Sequence, residues 1–185
     1  MTPYLLDYVA SLGHAVFTNG EYNLNIIGIR SADDSANTFN DRICVVYKDD
    51  QGWVTRTWEC TTDPGTYYRE KPINVNGTAI LVPGQYRGAY KLGRHRGKYE
   101  ALVQTGGRVK VYRDNNKDEI LDVDENTVMD GYFGINIHKA GLNSVNVDKW
   151  SAGCQVFKSA VDFDEFIRLC KMQAWDTFTY TLIEV

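Results

Sequence analysis

Apolar and polar positions alternate in three different ways along the chain. Leu5, Leu6, Val9 and Ala10 recur at helical spacing behind Thr2 and Pro3, which predicts a short opening helix with Thr2 as N-cap and Pro3 at its first position, ending near Gly13. From Tyr22 the pattern turns to β. Asn23 to Arg30, Arg42 to Lys48 and Trp53 to Thr61 are short runs rich in Ile, Val, Tyr, Trp and Thr, and Asp50, Gln51 and Gly52 close a hairpin between the last two. Further turns are expected at Asp63-Pro64-Gly65, Asn76-Gly77 and Pro83-Gly84. Gly106-Gly107 is expected to join Tyr99 to Thr105 with Arg108 to Arg113 as a two-residue hairpin. Ser159 with Asp162 resembles a capping box, and Phe163, Phe166, Ile167, Cys170 and Ala174 form the apolar stripe of one amphipathic helix. Phe178, Tyr180 and Leu182 alternate with Thr179 and Thr181 in a closing, half-buried strand. The expected fold is mainly β, with a short N-terminal helix and one C-terminal amphipathic helix.

Composition narrows this little. The chain has 185 residues, 43% hydrophobic and 24% charged, so a single domain spanning 1–185 is expected, and no repeat or linker divides it. Its net charge of -4 argues against a general nucleic-acid binder. Asp7, Ser11, Gly13, His14 and Asn19 interrupt every apolar run near the start, so no secretory signal is expected, and no stretch approaches the roughly 18 apolar residues of a membrane span. Charge is unevenly placed. Residues 86 to 113 carry eight cations against Glu100, a net +7, whereas residues 114 to 130 carry seven acids against Lys117, a net -6. Most of these are expected to be solvated, with the basic stretch a secondary attraction for a polyanionic substrate.

The candidate chemistry lies late in the chain. In Gly131-Tyr132-Phe133-Gly134-Ile135-Asn136-Ile137-His138, the apolar residues alternate with Asn136 and His138, which share one face of a strand and should stand clear of the core. After 15 intervening residues comes Cys154 in Trp150-Ser151-Ala152-Gly153-Cys154-Gln155-Val156-Phe157. Gly153 permits a sharp turn and close approach to the sulfur, and such a turn aims the Gly153 and Cys154 amides at one point, as an oxyanion requires. A thiol with pKa of about 8.5 needs a neighbouring imidazole to take its proton, and His138 has that chemistry. Buried cysteines and satisfied core histidines are common, so spacing alone leaves both readings open. The other cysteines, Cys44, Cys60 and Cys170, lie in apolar patterns and are expected in the core, too scattered for a disulfide framework.

Histidine, a gap of about fifteen residues, then Ser-x-Gly-Cys resembles the catalytic signature of the L,D-transpeptidase family, which reads Ser/Thr-His-Gly-Cys at its end. Asp63-Pro64-Gly65-Thr66-Tyr67 is similar to a proline- and glycine-containing turn of the same family. The whole chain also resembles proteins encoded by phages and prophages of gut bacteria, notably over residues 76–86 and 150–157. The resemblance implies a β-sandwich or barrel acting through a Cys thioester on stem peptides of peptidoglycan, with no cofactor required for catalysis. Cys154 would be the nucleophile, His138 its base, Ser151 part of the signature, and Gly153 with Cys154 the oxyanion amides. Two positions depart from the pattern. Ala152 replaces the second histidine, leaving His138 to be oriented by a backbone carbonyl near Ser151 or by Asn136. Val156 replaces an arginine that often binds the substrate carboxylate, a role left to Arg87, Arg94 or Arg96, with Asn136 as a further substrate-binding residue and Trp150 as a wall of the cleft. Hydrolysis by a phage lysin or virion-associated enzyme is expected ahead of transfer. The alternative is a non-catalytic phage structural or wall-binding protein that keeps the fold.

Asp114, Asn116, Asp118, Asp122 and Glu125 fall at positions 1, 3, 5, 9 and 12 of an EF-hand-like loop, which suits a structural Ca2+, although Glu119 replaces the turn glycine. A solvated acidic turn is the competing reading. His95, in the basic loop Gly93-Arg94-His95-Arg96-Gly97, is expected to be a solvated loop histidine, with contact to substrate as the alternative.

Overall fold

The computed structural model describes residues 1–32, 37–118, 120–142 and 144–185. Among these the chain is mainly β: eleven strands and three α-helices, with one 3-10 turn. Helix α1 (Tyr4–Ser11) precedes β1 (Asn25–Arg30), β2 (Asp41–Asp49) and β3 (Gly52–Thr61), then α2 (Thr66–Glu70), β4 (Thr78–Leu81), β5 (Gly84–His95), β6 (Tyr99–Val103) and β7 (Val109–Asp114). The 3-10 turn Glu125–Thr127 leads to β8 (Met129–Gly131), β9 (Ile137–Lys139), β10 (Gln155–Phe157), α3 (Ala160–Met172) and β11 (Thr177–Glu184). Eight strands close a barrel in the order β1-β11-β5-β6-β9-β10-β3-β2, and β4-β7-β8 form a second sheet.

The predicted hairpin is present, with Asp49 opposite Gly52 and Asp50-Gln51 as its two-residue turn. Strands β1 and β2 bury both faces. Ile26, Ile43 and Val45 enter the barrel core, while Ile27, Cys44 and Val46 pack outward with Ile183 under Leu6 and Val9 of α1. That second cover explains why β11 is buried at Tyr180, Thr181, Leu182 and Ile183 where a half-buried strand was expected. Helix α3 presents Phe163, Phe166, Ile167 and Cys170 to Trp58 and Phe157. Its Ser159 Oγ accepts the Asp162 N–H at 3.2 Å, as the capping pattern predicts. The stripe stops at Met172, so Ala174 lies beyond the helix.

Two further local expectations fail. The N-cap of α1 is Pro3, not Thr2, and no side chain caps it. The segments flanking Gly106-Gly107 do not pair with each other. Strand β6 joins the barrel and β7 the second sheet, and the glycines carry the chain across β5, where the Gly106 N–H donates to the Ala89 carbonyl at 3.0 Å. A Cβ at Gly106 would run into the Gly88 carbonyl, so close passage, and not a hairpin turn, demands glycine there. Among the described residues no helix is long and apolar enough to cross a membrane.

Candidate active site

Cys154 sits between a glycine turn and β10. Gly153 has φ +117°, and a Cβ on it would lie 2.5 Å from the Ala79 carbonyl oxygen, so both backbone conformation and space exclude other residues. Ser151, fully buried, braces the turn: its hydroxyl donates to the Cys154 carbonyl at 2.8 Å and accepts the Gly153 N–H at 3.2 Å. The Ser151 carbonyl accepts the Gly65 N–H at 2.9 Å, which docks the Asp63-Pro64-Gly65 turn directly against the cysteine loop. The second sequence motif therefore meets the first in space. One expectation is corrected here, because a Gly153 amide committed to Ser151 is not aimed at an oxyanion.

His138 pairs with Val156 across the parallel β9-β10 register, and Val156 clusters with Cys154, Phe39, Ala140 and Val147. His138 and Cys154 thus belong to one face of the strand pair. That face is covered, so His138 is only 3% exposed where the alternation placed it clear of packing. Its Nδ1 lies 3.0 Å from the Lys139 carbonyl and 3.3 Å from the Tyr99 hydroxyl, which itself donates to that carbonyl. A carbonyl only accepts, so the His138 proton is on Nδ1 and Nε2 carries the lone pair. The orienting carbonyl is Lys139, not one near Ser151, and Asn136 takes no part in it.

The Cys154 thiol donates to the Gly134 carbonyl at 3.4 Å, and it makes no hydrogen bond to His138 among the described residues. Burial pushes the thiol up to about 11, partly offset by the Asn136 backbone and the Arg96 charge. Burial, then the neighbouring His95, holds His138 down to about 3, against the opposing bond to Lys139. Both groups rest neutral at pH 7.

Two residues organise this site beyond those predicted for it: sequence reasoning missed the first and ranked a substrate contact by the second behind a solvated loop. Gln104 gathers the N–H groups of Phe133, Gly134 and Ile135 on its Oε1 at 3.0, 3.0 and 3.2 Å, while its Nε2 donates to the Gly107 and Gly131 carbonyls. It thereby fixes the carbonyl that receives the thiol. A glutamine at a strand end carries no sequence signal for this. The other is His95. It is 9% exposed, not solvated, and its ring stacks on His138 with centroids 4.0 Å apart and planes 23° apart.

A cavity of about 440 Å³ opens beside the sulfur, walled by Cys154, Ala152, Asn136, His95, Tyr68, Arg96 and Arg113 among others. Of the three arginines proposed from sequence only Arg96 reaches it, at the β5-β6 turn beside Tyr68. Arg87 lines a separate hollow with Trp175 and Gln173, and Arg94 donates to the Gly97 and Lys98 carbonyls of its own turn. Trp150 borders a third hollow with Tyr67 and Lys149, not this cavity. Arg113 is the cation that was overlooked. It is 9% exposed, its guanidinium lies 4.9 Å over the Phe133 ring, and Nη1 donates to the Gly77 carbonyl at 3.1 Å. Its Nε has no partner, and no carboxylate lies within 4.0 Å of it, among the described residues.

The acidic loop is organised internally. Asp114, buried, pairs with Arg69 at 3.2 Å, Asn116 donates to Asp118 and Asp122, and Glu125 accepts the Tyr112 hydroxyl at 2.8 Å. Among the described residues no group of three or more His, Cys, Asp or Glu side chains is arranged to hold a metal ion, and Glu119 lies outside those residues.

Compared with family models, with curated proteins and with solved structures, the chain matches none.

Proposed function

We propose that the chain is a cysteine-dependent acyl-transfer enzyme acting on peptidoglycan stem peptides, with Cys154 as nucleophile and His138 as base. The observation that carries this reading is the His138 tautomer. With Nδ1–H committed to Lys139, the free lone pair on Nε2 is the one available to take the thiol proton, on the face of β9-β10 that also bears Cys154. In the reaction the thiol leaves the Gly134 carbonyl and passes its proton to His138 as sulfur attacks the peptide carbonyl. His138 then protonates the departing amine, and water or an acceptor amine releases the thioester. Arg96 and Arg113, in a cavity wall without an acidic side chain among the described residues, favour an acyl donor that carries a free carboxylate, as stem peptides do. Water as acceptor, in a phage lysin or virion-associated peptidase, is the preferred form. No step uses calcium; an ion in the loop from Asp114 to Glu125 would stiffen the link between β7 and β8.

Incubation with purified peptidoglycan, followed by mass spectrometry of released muropeptides and of Cys154, is expected to yield new products and an acyl adduct on that cysteine. Cys154→Ala is expected to give neither, and identical products from both proteins would sink the reading. One observation favours a wall-binding protein without activity: the resting thiol is bonded to Gly134 and pushed up to about 11. Equal retention of both proteins on insoluble peptidoglycan, with no products, would be its signature.

A further inference from the structure

Sequence assigned the oxyanion to two backbone amides, and one of these is spent on Ser151. A neutral imidazole stands in the same cavity. The Gln104 N–H donates to Asn136 Oδ1 at 2.9 Å, which fixes the Asn136 amide so that its Nδ2 faces His95 Nδ1 at 3.2 Å. Since an amide NH2 only donates, His95 Nδ1 must accept, and the ring proton is on Nε2. That N–H has no partner among the described residues, and the ring lines the cavity with Cys154. The stacked rings therefore carry opposite tautomers: His138 offers a lone pair and His95 offers a proton donor. Protonation of His95 at Nδ1 would set two donors against each other at Asn136, and burial with the charges of Arg96 and Lys98 opposes it further.

We propose that His95 is a further catalytic residue, whose Nε2–H donates to the carbonyl oxygen of the acyl donor as it becomes an oxyanion. The proposal rests on Cys154 being the nucleophile. Sulfur forms a bond to the carbonyl carbon while the thiol proton goes to His138, and the π pair moves onto oxygen, where His95 holds it by a hydrogen bond without giving up its proton. The pair returns as the C–N bond breaks, and His138 passes its proton to the amine. A neutral donor gains most as charge develops on that oxygen.

Two reagents separate this role from a merely structural one. 4-Nitrophenyl acetate acylates a thiol through a tetrahedral oxyanion, forming C–S and expelling 4-nitrophenolate; iodoacetamide alkylates the same thiol with no oxyanion. Rates at Cys154 are followed by mass spectrometry, with Cys154→Ala as control. His95→Phe keeps a ring against His138 and removes the donor. It is expected to slow acylation about 10²-fold while alkylation stays within about twofold, and His95→Gln, which keeps an N–H, is expected to recover part of the loss. His95→Ala supplies the same ratio should the phenylalanine disturb folding, as judged by thermal melting. Equal slowing of both reactions, or of neither, would overturn the proposal. Failure of both reagents to modify Cys154 in the wild-type protein would instead overturn the nucleophile on which it rests.

Discussion

Two polar clusters are buried in this molecule, and they are built on opposite plans. In the first, Arg30 reaches Asp63 at 3.0 Å and donates to Thr62 Oγ1 and to the Thr62 and Leu81 carbonyls, each at 3.0 Å. Asp41 beside it accepts from Ser31 N–H, Thr62 N–H and Thr62 Oγ1 at 2.8, 2.7 and 2.8 Å. Arg30 and Asp63 pair with each other there, and Asp41 takes three donors. In the second, around Cys154, His138 and His95 each keep one ring nitrogen without a partner among the described residues, and Arg113 keeps Nε without one. Buried polar groups are costly unless hydrogen-bonded, so a cluster that meets its own needs serves the scaffold, and one that leaves valences open is shaped for something else. The difference marks the Cys154 cavity as the functional end more sharply than the presence of cysteine and histidine does.

The first way to break this contrast is to open the closed cluster. Arg30→Met would remove the buried ion pair to Asp63 and the donors to Thr62 and Leu81, and is expected to cost about 3–5 kcal/mol, roughly a 10 °C fall in melting temperature. Cys154→Ala is expected to stay within about 1 kcal/mol of wild type. Denaturant unfolding of both variants decides it, and similar losses would mean that the two clusters do not differ in kind.

The second concerns His138 alone. Its folded-state pKa is depressed to about 3 from an ordinary 6.5, because burial and then His95 disfavour the cation. The unfolded chain therefore binds this proton more readily than the folded one. Stability is unaffected above about pH 6.5 and falls by ~1.4 kcal/mol per pH unit as pH drops towards about 3. Urea unfolding at pH 7, 5.5 and 4.5 is expected to show that slope as the difference between wild type and His138→Asn. A variant that loses stability with acid in parallel with wild type would show that His138 titrates normally.

Much of the scaffold was legible in sequence because alternation and turn chemistry are local. The β2-β3 hairpin, the Ser159 cap and the α3 stripe all follow from neighbours within a few residues. Gly106-Gly107 misled because glycine answers two needs, and only the topology reveals that close passage over Gly88 is the one at work. His138 and Cys154 could be singled out by their spacing, but not the groups that tune them. His95 sits amid Gly93, Arg94, Arg96 and Gly97, a composition that reads as solvent-facing. It is buried because its place at the end of β5, opposite Tyr99, carries it over β9. Gln104 and Arg113 act through pairings with segments about 30 residues away in the chain, and no local pattern encodes those.

The smallest expected effect is also the most discriminating. A guanidinium that is nine-tenths buried, with no carboxylate partner among the described residues, costs the fold free energy, since part of its desolvation is uncompensated. Arg113→Met keeps the aliphatic length that packs beside Phe133 and removes the charge, at the loss of one hydrogen bond to Gly77. It is expected to leave stability unchanged or to raise it by up to about 1 kcal/mol, while weakening modification of Cys154 by a carboxylate-bearing thioester more than by its neutral amide counterpart. Melting temperature and the ratio of the two acylation rates are the measurements. A clear loss of stability with an unchanged ratio would place Arg113 with Arg30, as a group whose charge the scaffold already uses, and would remove the substrate carboxylate from the cavity.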